Sequence, residues 1–333
     1  MSRVDELFQP PMSSYRARYG QPLTAPAARA WLSSSAAYRG VLAAGVLAAC
    51  GGDIVTLGTG DPAPGFGDSG RRVRNVNGDG SEEYGVTLTD DLLEIFFSSN
   101  RGGGVGGKDV WHATRSARTD PFGPPAVLLE VSTPFEEASP VISPDGLTLW
   151  VASAREAGLG GMDIWRGARP ERGAPFGALE NVQALNSEAD DLPRPLGHGG
   201  SILPVVSNRV DATFQTFFAR RAGAGLDFAD PEPLSELWQV GATMEDAFLT
   251  SDGLFVFFKR AGPGQFGDLF VSWRMSPLEP FAPSVALAAV NSDGDERDPF
   301  VSSDRIRFFF ASNRRDGSDL DIYATSIDLP RFE

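Results

Sequence analysis

The sequence has little of what most catalytic and metal sites are built from. Its 333 residues include one cysteine and two histidines, so a zinc site made of clustered His and Cys side chains is excluded. No G-x-S-x-G segment marks a nucleophile elbow, and the Gly-rich segment 197–201 is interpreted as a turn. These absences argue against nucleophilic catalysis and against a cofactor held by the chain.

Positive charge and helical periodicity are scarce too. The formal net charge is −15, so nucleic-acid phosphates or an anionic membrane surface would repel the chain. No group of basic residues along the sequence is dense enough to overturn this, and we expect no nucleic-acid partner. In contrast, the chain has 38 Gly, 25 Pro and 23 Phe, a composition that favours an all-β fold with many tight turns.

A unit of two apolar runs around a turn recurs along the chain. The arginine that closes the second run recurs at spacings of 54, 54, 51 and 54 residues: Arg101, Arg155, Arg209, Arg260 and Arg314. An aspartate opens the third run in four copies and is followed two residues later by an aromatic residue: Asp109, Asp163, Asp268 and Asp321. The middle copy has no clear equivalent. Self-similarity at a fixed period indicates a repeat architecture.

Each copy offers four candidate strands, and the second strands are nearly all apolar. Such strands belong to sheets that are covered on both faces, and sheets of this kind closed around an axis form a β-propeller. We predict a five-bladed propeller of four-stranded antiparallel blades, with six blades as the alternative. The last copy stops after its third strand, so a strand within residues 65–77 is predicted to close the last blade.

The repeat resembles that of TolB-like propellers, a WD-repeat-like family. The resemblance rests on the turn Ser143-Pro144-Asp145-Gly146, on Ser-Asn-Arg at the end of second strands, and on Asp-Ile-Trp or Asp-Ile-Tyr at the start of third strands. It covers residues 64–328 and assigns 64–333 to the propeller domain. What the resemblance implies is a protein-binding or scaffolding role.

The segment before the propeller has the features of a secretory leader. A short apolar stretch ends in Leu47-Ala48-Ala49-Cys50, which resembles the bacterial lipoprotein signal box. This implies a signal or unstructured leader at 1–49, a lipid on Cys50, a flexible tether at 50–63, and a place in the cell envelope, facing the periplasm or on the outer membrane. The alternative is an Ala-rich helix or plain signal peptide with an incidental cysteine.

An acidic residue precedes the first strand of each copy: Glu83, Glu137, Asp191, Glu245 and Glu296. Because first strands line the axis of a propeller, these acids are candidates for an axial ring that binds a cation or a cationic partner group. The same acids, with the repeated arginines and the third-strand aspartates, also fit ion pairs that fasten the blades. We favour this structural role, since the set recurs in every copy.

Two loops alternate side-chain oxygens in a way that suits calcium: Asn75, Asn77 and Asp79 in one, and Asn291, Asp293 and Asp295 in the other. Neither loop has the closing glutamate of a calcium-binding loop, so turn chemistry is favoured.

The function predicted from the sequence is a lipid-anchored, monomeric binding or scaffolding module. Its expected partner is an envelope protein or a peptidoglycan-associated complex, and its membrane contact is through the lipid alone. The alternative is a carbohydrate-active enzyme, a hydrolase or lyase, that uses two carboxylates at the propeller axis.

Overall fold

The computed structural model describes residues 63–223 and 227–332. They form five antiparallel sheets arranged as a five-bladed β-propeller, which confirms the predicted fold and the number of blades. Helix in these residues is limited to two short 3₁₀ turns, His198–Gly200 and Ser235–Leu237. No helix among them has the length and apolar character needed to cross a membrane.

The strands follow the repeat. Two short N-terminal strands are β1 (Gly65–Phe66) and β2 (Arg71–Arg72). Blade one contains β3 (Glu83–Leu88), β4 (Glu94–Ser99), β5 (Asp109–Thr114) and β6 (Ala126–Val127). Blade two contains β7 (Glu137–Ile142), β8 (Thr148–Ser153), β9 (Asp163–Ala168) and β10 (Glu180–Asn181). Blade three contains β11 (Asp191–Pro193), β12 (Ile202–Ser207), β13 (Gln215–Arg220) and β14 (Glu232–Pro233). Blade four contains β15 (Glu245–Leu249), β16 (Phe255–Arg260), β17 (Asp268–Trp273) and β18 (Val285–Ala286). Blade five contains β19 (Glu296–Val301), β20 (Arg307–Ser312) and β21 (Asp321–Asp328).

The N-terminal strands close the ring, as predicted. Strand β1 pairs with the end of β21, with Phe66 opposite Ile327. Strand β2 pairs with the same strand further back, with Arg72 opposite Tyr323. Blade five is therefore built from both ends of the described chain, which ties the first repeat to the last.

The core lies between the blades. Every residue of β4, β12 and β16 is buried, because second strands are covered on both faces by neighbouring sheets. Phenylalanine supplies much of this packing, and Phe96, Phe257 and Phe308 are completely buried. Burial of apolar surface contributes roughly 25 cal/mol per Å², so the face-to-face contact of the sheets stabilises the ring.

The propeller has two sides, which we name by the first strands. The start face is the side on which the first strand of each blade begins. The turn face is the opposite side, which holds the turns between first and second strands. Strand order makes the third strands begin on the start face and end on the turn face.

Candidate functional site

Four of the predicted ring acids are completely buried rather than exposed at a channel mouth. The carboxylate of Glu83 accepts hydrogen bonds from the Ser99 hydroxyl at 2.8 Å and the Gly78 backbone N–H at 2.8 Å. It also forms an ion pair with Arg101, at 2.9 Å. The same arrangement recurs in three more blades as the ion pairs Glu137–Arg155 at 3.3 Å, Asp191–Arg209 at 2.6 Å and Glu296–Arg314 at 3.2 Å. We call each such acid and arginine a fastener.

The arginine of each fastener has two further contacts. Arg155 donates a hydrogen bond to the carbonyl oxygen of Val131, at 2.8 Å, in the segment that arrives from the preceding blade. Its guanidinium lies 5.2 Å from the ring centroid of Trp165, the aromatic residue two positions after Asp163. Arg101, Arg209 and Arg314 make equivalent contacts. The fastener therefore joins a blade to the incoming chain, and the repeated aromatic residue is its stacking surface.

The third-strand aspartates do not join the fasteners. The carboxylates of Asp109 and Asp163 accept hydrogen bonds from backbone N–H groups of the preceding Gly-rich loops, Val105 at 2.9 Å in the first case. Asp321 pairs with Arg72 at 2.7 Å, across the closure of the ring. Asp268 is exposed, and its pKa is raised by partial burial and by the charge of Glu296. The position caps the preceding loop in blades one and two, and it does not do so in blades four and five.

Blade four departs from the other blades in register. Arg260 is the last residue of β16 and stands opposite Asp268, the position that Ser99 and Ser153 occupy opposite their aspartates. Glu245 stands opposite Lys259, so the preceding residue, buried Met244, takes the place of the fastener acid. Arg260 still donates to a carbonyl oxygen, that of Leu237 at 2.9 Å, and stacks on Phe270. Arg260 therefore lies two positions earlier in its blade than the other repeated arginines. The 51-residue interval between Arg209 and Arg260, shorter than the other intervals of 54 residues, contains this shift.

Blade three contains the third-strand equivalent that the sequence did not reveal. Gln215 opens β13, and Phe217 lies two residues later with Arg209 at 5.2 Å from its ring centroid. The aromatic position is therefore the stronger signal, since it persists where the aspartate is replaced.

The axis holds a charged cluster that sequence reasoning missed. Arg194 of blade three forms ion pairs with Asp246 of blade four and Asp298 of blade five, and all three side chains are at least nine-tenths buried. The two aspartates share the position of Gly85 and Ser139 in the first strands of blades one and two, a bulge where φ is positive. Asp and Gly tolerate this conformation better than most residues. We call these three residues the axial cluster.

Two carboxylates share one guanidinium in the axial cluster. Burial and the neighbouring charge of Asp246 raise the pKa of Asp298. Burial opposes the charge of Arg194, but the two aspartates hold its pKa above the usual value. The Nε atom of Arg194 and the hydroxyl of Ser139 are buried without a hydrogen-bond partner in the described residues, beside a cavity of about 10 Å³. The repeat position of the two aspartates was the available sequence signal.

A cup of about 220 Å³ lies on the axis at the turn face. The ends of the first strands of all five blades line it, and its apolar residues include Leu88, Ile142, Leu196, Phe248 and Phe300. At its rim the hydroxyls of Thr89, Thr250 and Ser302 accept hydrogen bonds from their own turns. Among the described residues that line the cup, Asp90 is the one carboxylate. Pro195 lines both the cup and the cavity of the axial cluster.

The turns of the turn face connect neighbouring blades. The carboxylates of Asp91, Asp252 and Asp304 form ion pairs with Arg172, Arg305 and Arg118 of adjacent blades. Asp145 of the Ser-Pro-Asp-Gly turn bonds within its own turn, where its carboxylate accepts a hydrogen bond from the Leu147 N–H at 3.0 Å.

The two candidate calcium loops use their amides for chain pairing. Asn77 accepts a hydrogen bond from the Ile322 N–H at 2.6 Å and donates to the Ile322 carbonyl oxygen at 2.9 Å. Asn291 bonds Leu269 in the same two ways. Asn75 donates to the carbonyl oxygen of Phe122.

The carboxylates of the two loops do not converge. Asp79 lies near Arg315, Asp295 pairs with Lys259 and Arg297, and Asp293 is exposed. Within residues 63–223 and 227–332, no three His, Cys, Asp or Glu side chains are grouped to hold a metal ion.

Cys50, the leader and nearly all of the predicted tether lie outside the described residues, so the lipid attachment stays a prediction.

Comparison with known proteins supports the fold. No family model matches the sequence, and neither does any curated protein sequence. The chain is similar to TolB from Acinetobacter baumannii, with 13% identity and a TM-score of 0.43 over 73% of this chain and 53% of that one. It is similar to a protein of unknown function from Dyadobacter fermentans, with 10% identity and a TM-score of 0.50 over 81% and 100% of the two chains. It is also similar to the catalytic domain of the GH62 α-L-arabinofuranosidase of Coprinopsis cinerea, with 10% identity and a TM-score of 0.50 over 79% and 97%. At these identities the likeness concerns the β-propeller fold alone.

Proposed function

We propose that the propeller is a binding module of the cell envelope, and that the axial cup receives an apolar group of a partner protein. The observation that carries this is the chemistry of the cup, an apolar floor with a single carboxylate at its rim. Its volume of about 220 Å³ is below the ~300–1,000 Å³ of pockets for drug-sized ligands. The cup therefore suits one bulky apolar side chain.

The alternative of a glycoside hydrolase or lyase needs two carboxylates that reach the substrate, at roughly 5–9 Å from each other. The candidates near the axis are Asp246 and Asp298. Both are buried, both pair with Arg194, and the cavity beside them holds about 10 Å³. A sugar ring does not fit there, so binding is favoured over hydrolysis.

The proposal is tested by filling the cup. Ser251 is exposed at the rim, and Ser251→Trp places an indole in or over the cup. Ser116→Trp is the matched control, because Ser116 is exposed on the same face outside the cup. In a cross-linking pull-down from envelope membranes, the wild type and the control should retain the same partner and Ser251→Trp should lose it. Equal recovery of the partner with Ser251→Trp would show that the cup does not take part in the interaction.

Turnover on a panel of glycans distinguishes the alternative. If the wild type cleaves a glycan and both Asp246→Asn and Asp298→Asn abolish cleavage while remaining folded, the module is an enzyme and the binding proposal fails.

The envelope location is proposed from the residues around Cys50. A diacylglycerol on this cysteine would hold the propeller at a membrane, with residues 50–63 as the tether. Palmitate labelling of cells that express the full chain should mark the wild type and should not mark Cys50→Ser. Equal labelling of the two would exclude Cys50 as the attachment site.

A further inference from the structure

A groove of about 710 Å³ lies between the first and last blades, and arginines line it. Three separate stretches of the chain supply them, at 71–74, at 115–118 and at 307. Arg71, Arg72 and Arg74 lie within four residues of each other, but Arg115, Arg118 and Arg307 join them only in the folded chain. The fold creates a concentration of positive charge on a chain whose net charge is −15.

Some of these arginines have a carboxylate partner and others do not. Arg118 pairs with Asp304 at 3.2 Å, and Arg71 lies 3.4 Å from Asp68. Arg115 instead donates to the carbonyl oxygen of Leu92, at 2.7 Å, and stacks on Phe122. In the part of the chain that the structure describes, the exposed side chains of Arg74 and Arg307 have no hydrogen-bond or ion-pair partner.

The arginines repel one another across the groove. Partial burial and the positive charges of Arg307 and Arg118 lower the pKa of Arg115, while Asp120 and Asp304, which also line the groove, oppose the shift. Such an arrangement costs free energy in the empty groove, and an anion between the guanidinium groups would offset that cost. Elsewhere in the described chain, Arg101 and Arg194 face carboxylates. Arg221 and Arg274 repeat the contacts of Arg115, since each donates to a carbonyl oxygen of a turn and stacks on a phenylalanine ring.

The floor of the groove is apolar. Leu92, Phe122 and Phe309 are buried beneath it, and Ile306 is 56% exposed at its side. A ligand with an anionic end and an apolar portion therefore matches both surfaces.

We propose that this groove binds a phosphate-bearing ligand with an apolar portion, whose phosphate is held by Arg74, Arg115 and Arg307. Phosphate suits the site because its charge at pH 7 is about −1.5 to −2 and because guanidinium groups bind its oxygens through paired hydrogen bonds. A free phosphorylated metabolite is a phosphate monoester of this kind, and the phosphodiester of a phospholipid headgroup carries a single negative charge but offers the same anionic oxygens to guanidinium groups. The site is separate from the axial cup and does not depend on the proposed function.

The test uses the full chain with Cys50→Ser, so that no lipid is attached. One arm titrates inorganic phosphate by calorimetry, and the other measures sedimentation with vesicles of phosphatidylglycerol in phosphatidylcholine. The groove variant is Arg74→Gln/Arg307→Gln, whose side chains make no hydrogen bond or ion pair in the described structure. The control is Arg166→Gln/Arg220→Gln, which removes the same charge from exposed pairs on blades two and three.

We expect phosphate binding by the wild type and the control, and a loss on the order of tenfold or more in the groove variant. Binding to phosphate but not to vesicles identifies a soluble ligand. Vesicle binding that inorganic phosphate displaces identifies a headgroup. Equal weakening in the groove variant and the control, or no binding in either arm, would overturn the proposal.

Discussion

The fasteners and the axial cluster bury the same kinds of side chain at different charge ratios. A fastener has one carboxylate for one guanidinium, with hydroxyl and amide donors such as Ser99 and Gly78 completing the set. The axial cluster has two carboxylates for one guanidinium, and the Nε atom of Arg194 lacks a partner. Blade four retains Arg260 but has Met244 in place of the acid.

This difference shows which contacts all five repeated arginines make and which contact one of them lacks. All five arginines bind a carbonyl oxygen of the incoming chain and stack on an aromatic ring, while the carboxylate is present in four. Blade attachment therefore depends first on the guanidinium. At the axis the charges do not balance within the cluster, so its contribution to stability should depend on pH.

Breaking the axial cluster should have the largest effect. Arg194→Leu removes the guanidinium that pairs with Asp246 and Asp298 and leaves Arg297 as the nearby cation. We expect this to lower the free energy of unfolding by about 3–5 kcal/mol at pH 7. Urea denaturation measures this loss. The loss should shrink at acid pH, where Asp298, whose pKa is raised by burial, takes up a proton.

Arg166→Leu is the control for that experiment, because Arg166 pairs with Asp227 at an exposed site. Its effect should stay within about 0.5 kcal/mol. If Arg194→Leu is equally mild, the axial ion pairs do not hold the ring together.

Removing the charge of one fastener should have a smaller effect. Glu137→Gln keeps a polar group beside Ser153 but leaves Arg155 without a carboxylate. We expect a loss of about 1.5–3 kcal/mol, the usual worth of a hydrogen bond to a charged group. Thermal and urea unfolding both report it.

Glu245→Gln is the matched control, since Glu245 was predicted as part of the same acidic ring and its side chain makes no hydrogen bond or ion pair in the described residues. Its charge acts on Arg194 only at longer range. Its effect should be within about 0.5 kcal/mol. Similar losses in the two variants would show that the distinction between fastener and non-fastener acids has no energetic basis.

These contrasts mark where sequence reasoning succeeded and where it stopped. The number of blades followed from the period of the repeat, and the closure by residues 65–72 followed from a last copy that lacks a fourth strand. Strands pair through their backbones, so each repeat of the sequence pattern predicts the same pairing. The fastener acids were located by the same period. The axial cluster was not, because Arg194, Asp246 and Asp298 lie on three blades and meet only through the curvature of the ring. The basic groove was missed for the same reason.

The smallest expected effect is on the pH dependence of the unfolding free energy, and it distinguishes the axial cluster from the fasteners. The pKa of Asp298 is raised by burial and by Asp246, while Arg194 and Arg297 oppose the shift. A raised folded-state pKa of a carboxyl group contributes stability that is fully present below its unfolded pKa of about 3.9. That contribution is lost as pH rises through the folded-state pKa. Asp298→Asn keeps an acceptor for the Gly85 N–H, which lies 3.0 Å from the carboxylate, and leaves Arg194 with one carboxylate.

The unfolding free energy of Asp298→Asn relative to the wild type should therefore increase as pH rises through the folded-state pKa of Asp298. Taking the difference between the two proteins at each pH removes the contributions of carboxylates such as Asp252 and Asp295, whose pKa values are lowered and which act in the opposite direction. A flat difference curve for Asp298→Asn would mean that the second axial charge is already balanced, and that the axis and the fasteners do not differ in kind.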